Sequence, residues 1–180
     1  MSIAAKPGAM QTGGKGPGAQ RGFEFFNEFI NLKEIARDCS RAAITMLDAE
    51  DCPSGEMPVI IDNGFGGVIF HEACGHGLEA SSVSKNLSIF SGKKGKKVAS
   101  DIVNAYDDGT IDGAWGSGNF DDEGNPTQRN VLIENGILKS YLFDYRNQRR
   151  VNHPLTGSGR RESYKYSPTS RMNNTFIANG

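Results

Sequence analysis

The chain has 180 residues, a length that suits one domain of ordinary size or a piece of a larger protein. Its 37% hydrophobic and 23% charged residues exclude a fully disordered chain. The net charge of −1 favours neither nucleic acid nor an anionic membrane as a partner, and no apolar run approaches the roughly 20 residues of a membrane span.

Three cysteines are widely spaced along the chain, at Cys39, Cys52 and Cys74. Their odd number and the absence of a CxxC pair argue against a disulfide framework. The first residues also lack the apolar core of a signal peptide. We therefore expect a cytoplasmic protein.

The N-terminal region divides into two parts. Residues 1–22 are rich in glycine and small residues, and they predict a flexible lead-in with little to bury. Residues 27–48 repeat apolar side chains at close to a 3.6-residue period, which predicts a helix that Asn27 or Asn31 would cap.

The middle of the chain alternates short apolar runs with turns. Residues 58–62 are apolar and β-branched, which predicts a short strand. A second apolar run, residues 68–70, leads directly into His71. The four lysines within residues 93–97 are expected to form a solvated loop, because no aromatic residue lies among them.

The second half is typical of antiparallel sheet. Residues 102–106 are a strand candidate, and residues 131–134 and 137–142 flank Asn135-Gly136, a strong signal for a tight hairpin. An acidic, glycine-rich loop with Asp121 and Asp122 precedes that hairpin. Because a helix comes first and hairpins dominate later, the sequence predicts an α+β fold: an N-terminal helix, a motif helix and then mainly antiparallel hairpins.

The stretch with the clearest chemistry is His71-Glu72-Ala73-Cys74-Gly75-His76, an HExxxH pattern. Two of the chain's three histidines lie five residues apart, so on a regular helix their rings would be roughly 140° apart. A π-helical turn would bring both rings to one side, and Gly75 would ease that distortion. The spacing therefore predicts a π-type turn if both histidines bind one ion.

The residue types in this motif point to zinc chemistry. His71 and His76 would supply imidazole nitrogens to Zn²⁺, and Glu72 would take a proton from water and pass it to a leaving amine. A third ligand is also needed, and the in-chain candidates are Glu79, Cys74, His153 and Asp62, none with decisive spacing. Glu79 is alternatively a partner that supports an imidazole, or a charge on a helix surface.

Arg160 and Arg161 follow a Thr-Gly-Ser-Gly turn and have two interpretations. They would hold a substrate carboxylate in a cleft, or they would form an internal salt-bridge cluster, which is the more common arrangement.

Several long blocks resemble the TldD metallopeptidase subunits of the TldD/PmbA (TldE) family. They are FHEACGHGLEA, FSGKKGKKVAS, DDGTIDGAWGSGNFDDEGNPTQRNVLIENGILKSYL and HPLTGSGRRESYKYSPTSRMNNTFIANG, and the resemblance extends from about Gly22 to Gly180. It implies that His71 and His76 bind zinc and that Glu72 is the catalytic base. PmbA/TldE subunits lack the motif, so the chain resembles the zinc-bearing subunit.

The resemblance also implies the biochemical setting. It implies hydrolysis of small or unfolded peptides, including leader removal from precursor peptides, by a heterodimer with a PmbA/TldE-like subunit. No membrane or nucleic-acid partner is expected.

Family members are well over twice as long, and their third zinc ligand is a cysteine beyond the position of Gly180. The resemblance thus implies an internal fragment whose residues 23–180 are a partial TldD-like domain. The alternative is an inactive remnant or a partner-binding module, and a nucleic-acid-associated module using the lysine loop ranks well below both.

Overall fold

The structure is a computed structural model that describes residues 1–178, apart from the side chain of Phe65. The chain divides into two compact units, Met1–Val59 and Ile60–Gly180. The boundary lies far from residue 22, the predicted end of the flexible lead-in.

The first unit joins a hairpin to a helix. Strands β1 (Ser2–Lys6) and β2 (Ala9–Gly13) pair antiparallel, and helices α1 (Glu24–Glu28) and α2 (Leu32–Leu47) follow. Asn31 caps α2, because its side-chain oxygen accepts a hydrogen bond from Glu34 N at 3.2 Å. The predicted helix over 27–48 is therefore present as α2, which begins later than expected, at Leu32, with the second of its two candidate caps.

The hairpin lies where the sequence predicted a flexible lead-in, so the absence of structure expected for residues 1–22 is wrong over this part. Its strands are held by backbone pairing and by polar contacts with α2, such as Lys6 Nζ to Asp48 Oδ1 at 2.7 Å. Gly13 lies so close to the backbone of Cys39 that a β-carbon would collide there. The composition of residues 1–22 could not predict the strand pairing or the close packing of Gly13. Composition counts apolar residues, whereas both features depend on contacts with other parts of the chain.

The strand predicted over residues 58–62 does not form. These residues belong to no strand, and their apolar side chains are exposed, Ile60 fully and Val59 to 70%. A β-branched sequence favours extended backbone, but a strand also needs a neighbouring strand to bond with. None of the described residues pairs with this segment.

The second unit is built on a four-stranded antiparallel sheet of β3 (Ala105–Asp108), β4 (Arg129–Glu134), β5 (Ile137–Leu138) and β8 (Thr175–Ile177). The strand order in this sheet is β5-β4-β3-β8. A separate two-stranded hairpin joins β6 (Gly159–Arg160) to β7 (Thr169–Ser170). Among the described residues every named strand pair is antiparallel.

The turn between β4 and β5 confirms the predicted hairpin. Asn135 and Gly136 have φ angles of 49° and 74°, as a two-residue turn of this kind requires. The strand predicted over 102–106 begins later than expected, at Ala105, and continues to Asp108.

The second unit also contains short helices. They are α3 (Val68–Phe70), α4 (Ala80–Val83) and α5 (Tyr145–Val151), and the last is capped by Asp144 through Asn147 N at 3.0 Å. The core is formed by a single cluster of buried side chains from the motif region, the sheet and the segment before α5; its fully enclosed members include Leu78, Leu132, Leu138 and Leu142. The predicted α+β fold is confirmed, and no helix in residues 1–178 is long and apolar enough to span a bilayer.

We predict that Gly136→Ala destabilises the protein more than Gly95→Ala. Both glycines have positive φ, 74° and 82°, but only a β-carbon at Gly136 would meet backbone, 2.5 Å from the Ala99 oxygen. The strained φ alone costs about 1–2 kcal/mol, and the overlap adds to it. Urea unfolding of both variants measures the difference, and equal losses would contradict the steric account.

We also predict a pH dependence from His153. Its ring stacks on Phe143 with 4.2 Å between centroids, its Nδ1 donates to the Pro154 oxygen at 2.9 Å, and Lys94 Nζ lies 3.0 Å from Nε2. Burial, with a smaller contribution from Lys94, lowers the pKa of His153 below its usual 6.5. The native state therefore binds this proton less readily than the unfolded state, and stability falls as the pH drops below about 6.5.

The measurement is the free energy of unfolding between pH 7.5 and pH 5. The wild-type value should fall more steeply than that of His153→Gln, which cannot titrate. Parallel curves for the two proteins would show that this histidine has the same pKa folded and unfolded.

Candidate metal centre and its cleft

The first five residues of the HExxxH motif form a π-helical turn, His71–Gly75, and His76 ends it by donating its backbone N–H to the His71 oxygen. Helix α3 precedes it and a 3-10 turn, His76–Leu78, follows. The rings of His71 and His76 lie 4.8 Å apart between centroids and nearly perpendicular to each other. The backbone shape predicted from the five-residue spacing is confirmed.

The π turn is packed tightly on its inner side. Gly75 is buried, and the side chain of Met172 lies directly on it, so that a β-carbon at position 75 would overlap the Met172 sulfur. Met172 is itself only 5% exposed. The glycine expected to ease the distortion therefore also admits a core side chain.

His71, Glu72 and His76 form a possible metal-binding group. One ligand atom from each lies within 4.8 Å of the others, and no other such group of three is found among the described residues. Glu72 Oε2 is 3.8 Å from His76 Nε2, and its side chain is 66% exposed. Two imidazoles are donors that zinc takes in catalytic sites, and the carboxylate beside them is suited to act as a base, so these residue types fit a zinc ion.

Glu79 connects this group to the interior. It is only 2% exposed, and Oε1 is 2.9 Å from His76 Nδ1, while Oε2 accepts a hydrogen bond from Arg171 Nη1 at 2.6 Å. A carboxylate at Nδ1 favours the tautomer with the proton there, which leaves the lone pair of Nε2 for a metal. Of the interpretations left open for Glu79, the surface charge is excluded.

The end of the motif is fixed to the segment that follows β5. Leu142 N donates to the Leu78 oxygen at 2.9 Å, and Ala80 N donates to the Leu142 oxygen at 2.8 Å. These two bonds form a parallel bridge on either side of Glu79. They fix the position of the buried Glu79 carboxylate relative to His76.

Beside the motif lies a cleft of about 450 Å³. Its lining includes His71 and His76 together with residues of the β6–β7 hairpin and its flanks. The hairpin and flanking residues include Arg160, Arg161, Glu162, Tyr166, Thr169 and Arg171. The structure thus brings both predicted arginines into the cleft that holds the histidines.

Arg160 and Arg161 do not form an internal salt-bridge cluster, which was the more common of the two arrangements expected from the sequence. Arg160 Nη1 donates to the backbone oxygen of Met172, and Arg161 Nη2 donates to the backbone oxygen of Asp122, each at 3.0 Å. Within residues 1–178 no carboxylate oxygen forms an ion pair with either guanidinium. Both side chains are exposed in the cleft.

The acidic loop before β4 is hydrogen-bonded to the β6–β7 hairpin. Asp121 accepts hydrogen bonds from Glu123 N, Asn125 N and Gly159 N, at 2.8–3.0 Å. Arg161 N donates to Asp122 Oδ2 at 2.8 Å. These carboxylates position the β6 backbone, and so the arginines that follow it.

The remaining candidate ligands lie elsewhere or face the core. Cys74 packs against the core cluster, and burial raises the pKa of its thiol. His153 stacks on Phe143, and exposed Asp62 accepts a bond from Asn63 N. None of the three belongs to the group formed by the motif.

Sequence reasoning missed Arg171. It lies 92 residues from Glu79, and no motif spacing connects the two. A buried acid beside a metal motif needs a countercharge, but the sequence does not say which arginine supplies it.

The fold and the motif define an α+β protein with a candidate metal site on a π turn. Residues 54–180 match the profile of the PmbA/TldA metallopeptidase C-terminal domain. The chain belongs to the TldD/PmbA metallopeptidase family, as the sequence blocks predicted.

Curated relatives agree with this assignment. A metalloprotease TldD homolog of Buchnera aphidicola is 44% identical over 96% of the chain. A zinc metalloprotease TldD homolog of Saccharolobus solfataricus is 30% identical over 89% of it. The chain spans 37% and 36% of the lengths of these two relatives, as expected of a partial domain.

Solved structures share the fold. A protein from Thermotoga maritima described as a modulator of a DNA gyrase has a TM-score of 0.71 and 30% identity, covering 85% of this chain and 34% of that one. TldE from Thermococcus kodakarensis has a TM-score of 0.58 and 29% identity, covering 63% of this chain and 26% of that one.

We predict a measurable coupling between Glu79 and Arg171. Removing either partner leaves the other without its charged contact, so a double-mutant cycle of Glu79→Ala and Arg171→Ala should give about 1–3 kcal/mol in urea unfolding. The matched control is the Lys97–Asp101 pair, whose side chains are 61% and 76% exposed. Its cycle should give less than about 0.5 kcal/mol, and equal couplings would contradict the special role of the buried carboxylate.

Proposed function

We propose that this chain carries the metal centre of a zinc-dependent peptidase. The observation that supports it most directly is the π turn, which brings His71, Glu72 and His76 together despite a spacing that a regular helix would separate. Peptide-bond hydrolysis needs an electrophilic centre and a base on the same side of the substrate.

Each residue of the group has a distinct role in this proposal. His71 and His76 hold the zinc ion through ring nitrogens. A zinc ion held there would polarise a peptide carbonyl as a Lewis acid and lower the pKa of water. Glu72, exposed beside Nε2 of His76, takes the proton from the attacking water and delivers it to the leaving amine.

Glu79 is the positioning residue of the site. Its two oxygens are occupied by His76 Nδ1 and Arg171, so we assign it to orienting the imidazole rather than to binding the metal as a third ligand. Carboxylates at this position in metal sites raise the basicity of the histidine and fix its tautomer.

The substrates we propose are small or unfolded peptides, including precursor peptides that lose a leader. An extended peptide can add to a strand edge by backbone hydrogen bonds, and the β6–β7 hairpin has only two strands and lies along the cleft. Arg160 and Arg161 face that cleft and are the proposed substrate contacts. Resemblance to TldE supports a heterodimer with a PmbA/TldE-like subunit, and three free cysteines support the cytoplasm.

Zinc content and activity test the proposal together. The purified protein should hold about one zinc per chain, and His71→Ala and His76→Ala should each lose it. Glu72→Gln should keep the zinc but lose about 100-fold or more in the rate of peptide cleavage, measured with a PmbA/TldE-type subunit present. Metal analysis and a fluorogenic peptide assay give the two readouts.

His153→Ala is the matched control, because it removes the one histidine outside the motif and should leave the zinc content unchanged. A folded wild-type chain without zinc would contradict the proposal that this chain by itself holds the metal centre. The partner-binding module would then be the better description, and a complex with the PmbA/TldE-type subunit would test it. Zinc retained by His71→Ala would refute the ligand assignment.

A further inference from the structure

The cleft beside the motif is more positive than the chain as a whole. Three arginines line it against one acidic residue, Glu162, although the chain has a formal charge of −1. Arg171 is paired with Glu79, but Arg160 and Arg161 have no ion-pair partner in the described chain. Two guanidinium groups therefore line the cleft without an ion-pair partner, although the carboxylates of Glu162, in the lining, and Glu72, beside His76, lie in the same region.

The way these two arginines are held suits them to an anionic ligand. Each donates to a backbone carbonyl, which fixes its guanidinium without neutralising its charge. A guanidinium has five N–H donors, so most remain available. Arg160 also acts electrostatically on buried Asp107, but the two form no ion pair. A preorganised, unpaired fork of donors is what binds a planar carboxylate well.

We propose that Arg160 and Arg161 make this site selective for peptides that place a carboxylate in the cleft. The inference rests on the proposed peptidase and names its substrate class. Because His71 and His76 line the same cleft of about 450 Å³, the carboxylate lies within a short distance of the scissile bond. Its source is either the C-terminus of a short peptide or an acidic side chain.

Binding to an inactivated protein tests this directly. The protein is Glu72→Gln, and the probes are three forms of one peptide: the free acid, the C-terminal amide, and the amide with one internal glutamate. Calorimetry should show the free acid or the glutamate peptide binding about 10-fold or more tightly than the plain amide, since charge-assisted hydrogen bonds contribute that much. Whichever of the two binds tightly identifies the source of the carboxylate.

Matched variants assign the effect to the arginines. Arg160→Gln and Arg161→Gln should abolish most of the preference, while Arg161→Lys should restore part of it by returning the charge. Arg149→Gln is the control, because Arg149 is exposed on α5 beside Tyr145 and does not line the cleft. It should leave the preference intact, and unfolding curves confirm that each variant is folded.

The same titrations after removal of zinc test whether the carboxylate binds to the metal instead of to the arginines. A preference that persists in metal-free protein supports the arginines, whereas one that disappears shows the carboxylate on the metal and overturns the inference. Equal binding of all three peptides, or equal weakening of all three by Arg161→Gln, also overturns it.

Failure of the inference is distinguishable from failure of the peptidase. Cleavage of the plain amide by zinc-loaded wild type, without any acid preference, removes only the carboxylate selectivity. Absence of zinc and of cleavage removes the proposed function, whatever the binding data show.

Discussion

The i to i+5 step of the π turn at His71–Gly75 is the constraint on which the site depends. With a regular helical backbone the two imidazoles would point in different directions, and no single ion would reach both. The turn holds because Gly75 lets the side chain of Met172 pack against it from the core. A backbone irregularity that would ordinarily weaken a helix is thus stabilised by tertiary packing on its inner face.

Glu79 connects that turn to the rest of the unit. Its carboxylate is buried between His76 and Arg171, and the backbone on either side is bonded to Leu142. A buried carboxylate without such partners would be costly to desolvate. With them, it joins the motif, the segment after β5 and the end of β7, so one group both stabilises the fold and sets the orientation of a proposed ligand.

The charge of the cleft arises from how hydrogen bonds are distributed. The carboxylate oxygens of Asp121 and Asp122 accept hydrogen bonds from backbone N–H groups of the β6–β7 hairpin and of the acidic loop itself. The guanidinium groups beside them bond to carbonyls instead. Acids and bases that lie about 39 residues apart in sequence but close in space therefore do not pair with one another, and two unpaired guanidinium groups remain beside the candidate metal site.

The sequence by itself determined the local features: the helix and two candidate residues for its cap, the Asn135-Gly136 hairpin, the motif and the backbone shape its spacing demands. These follow from short-range sterics and periodicity, which are written in adjacent residues. Tertiary structure alone decided that residues 2–13 form a hairpin, that residues 58–62 form no strand, and that Arg171 pairs with Glu79. Each of those outcomes depends on a partner distant in sequence. The energy of a contact depends on both of the segments that form it, so the sequence of one segment does not determine it.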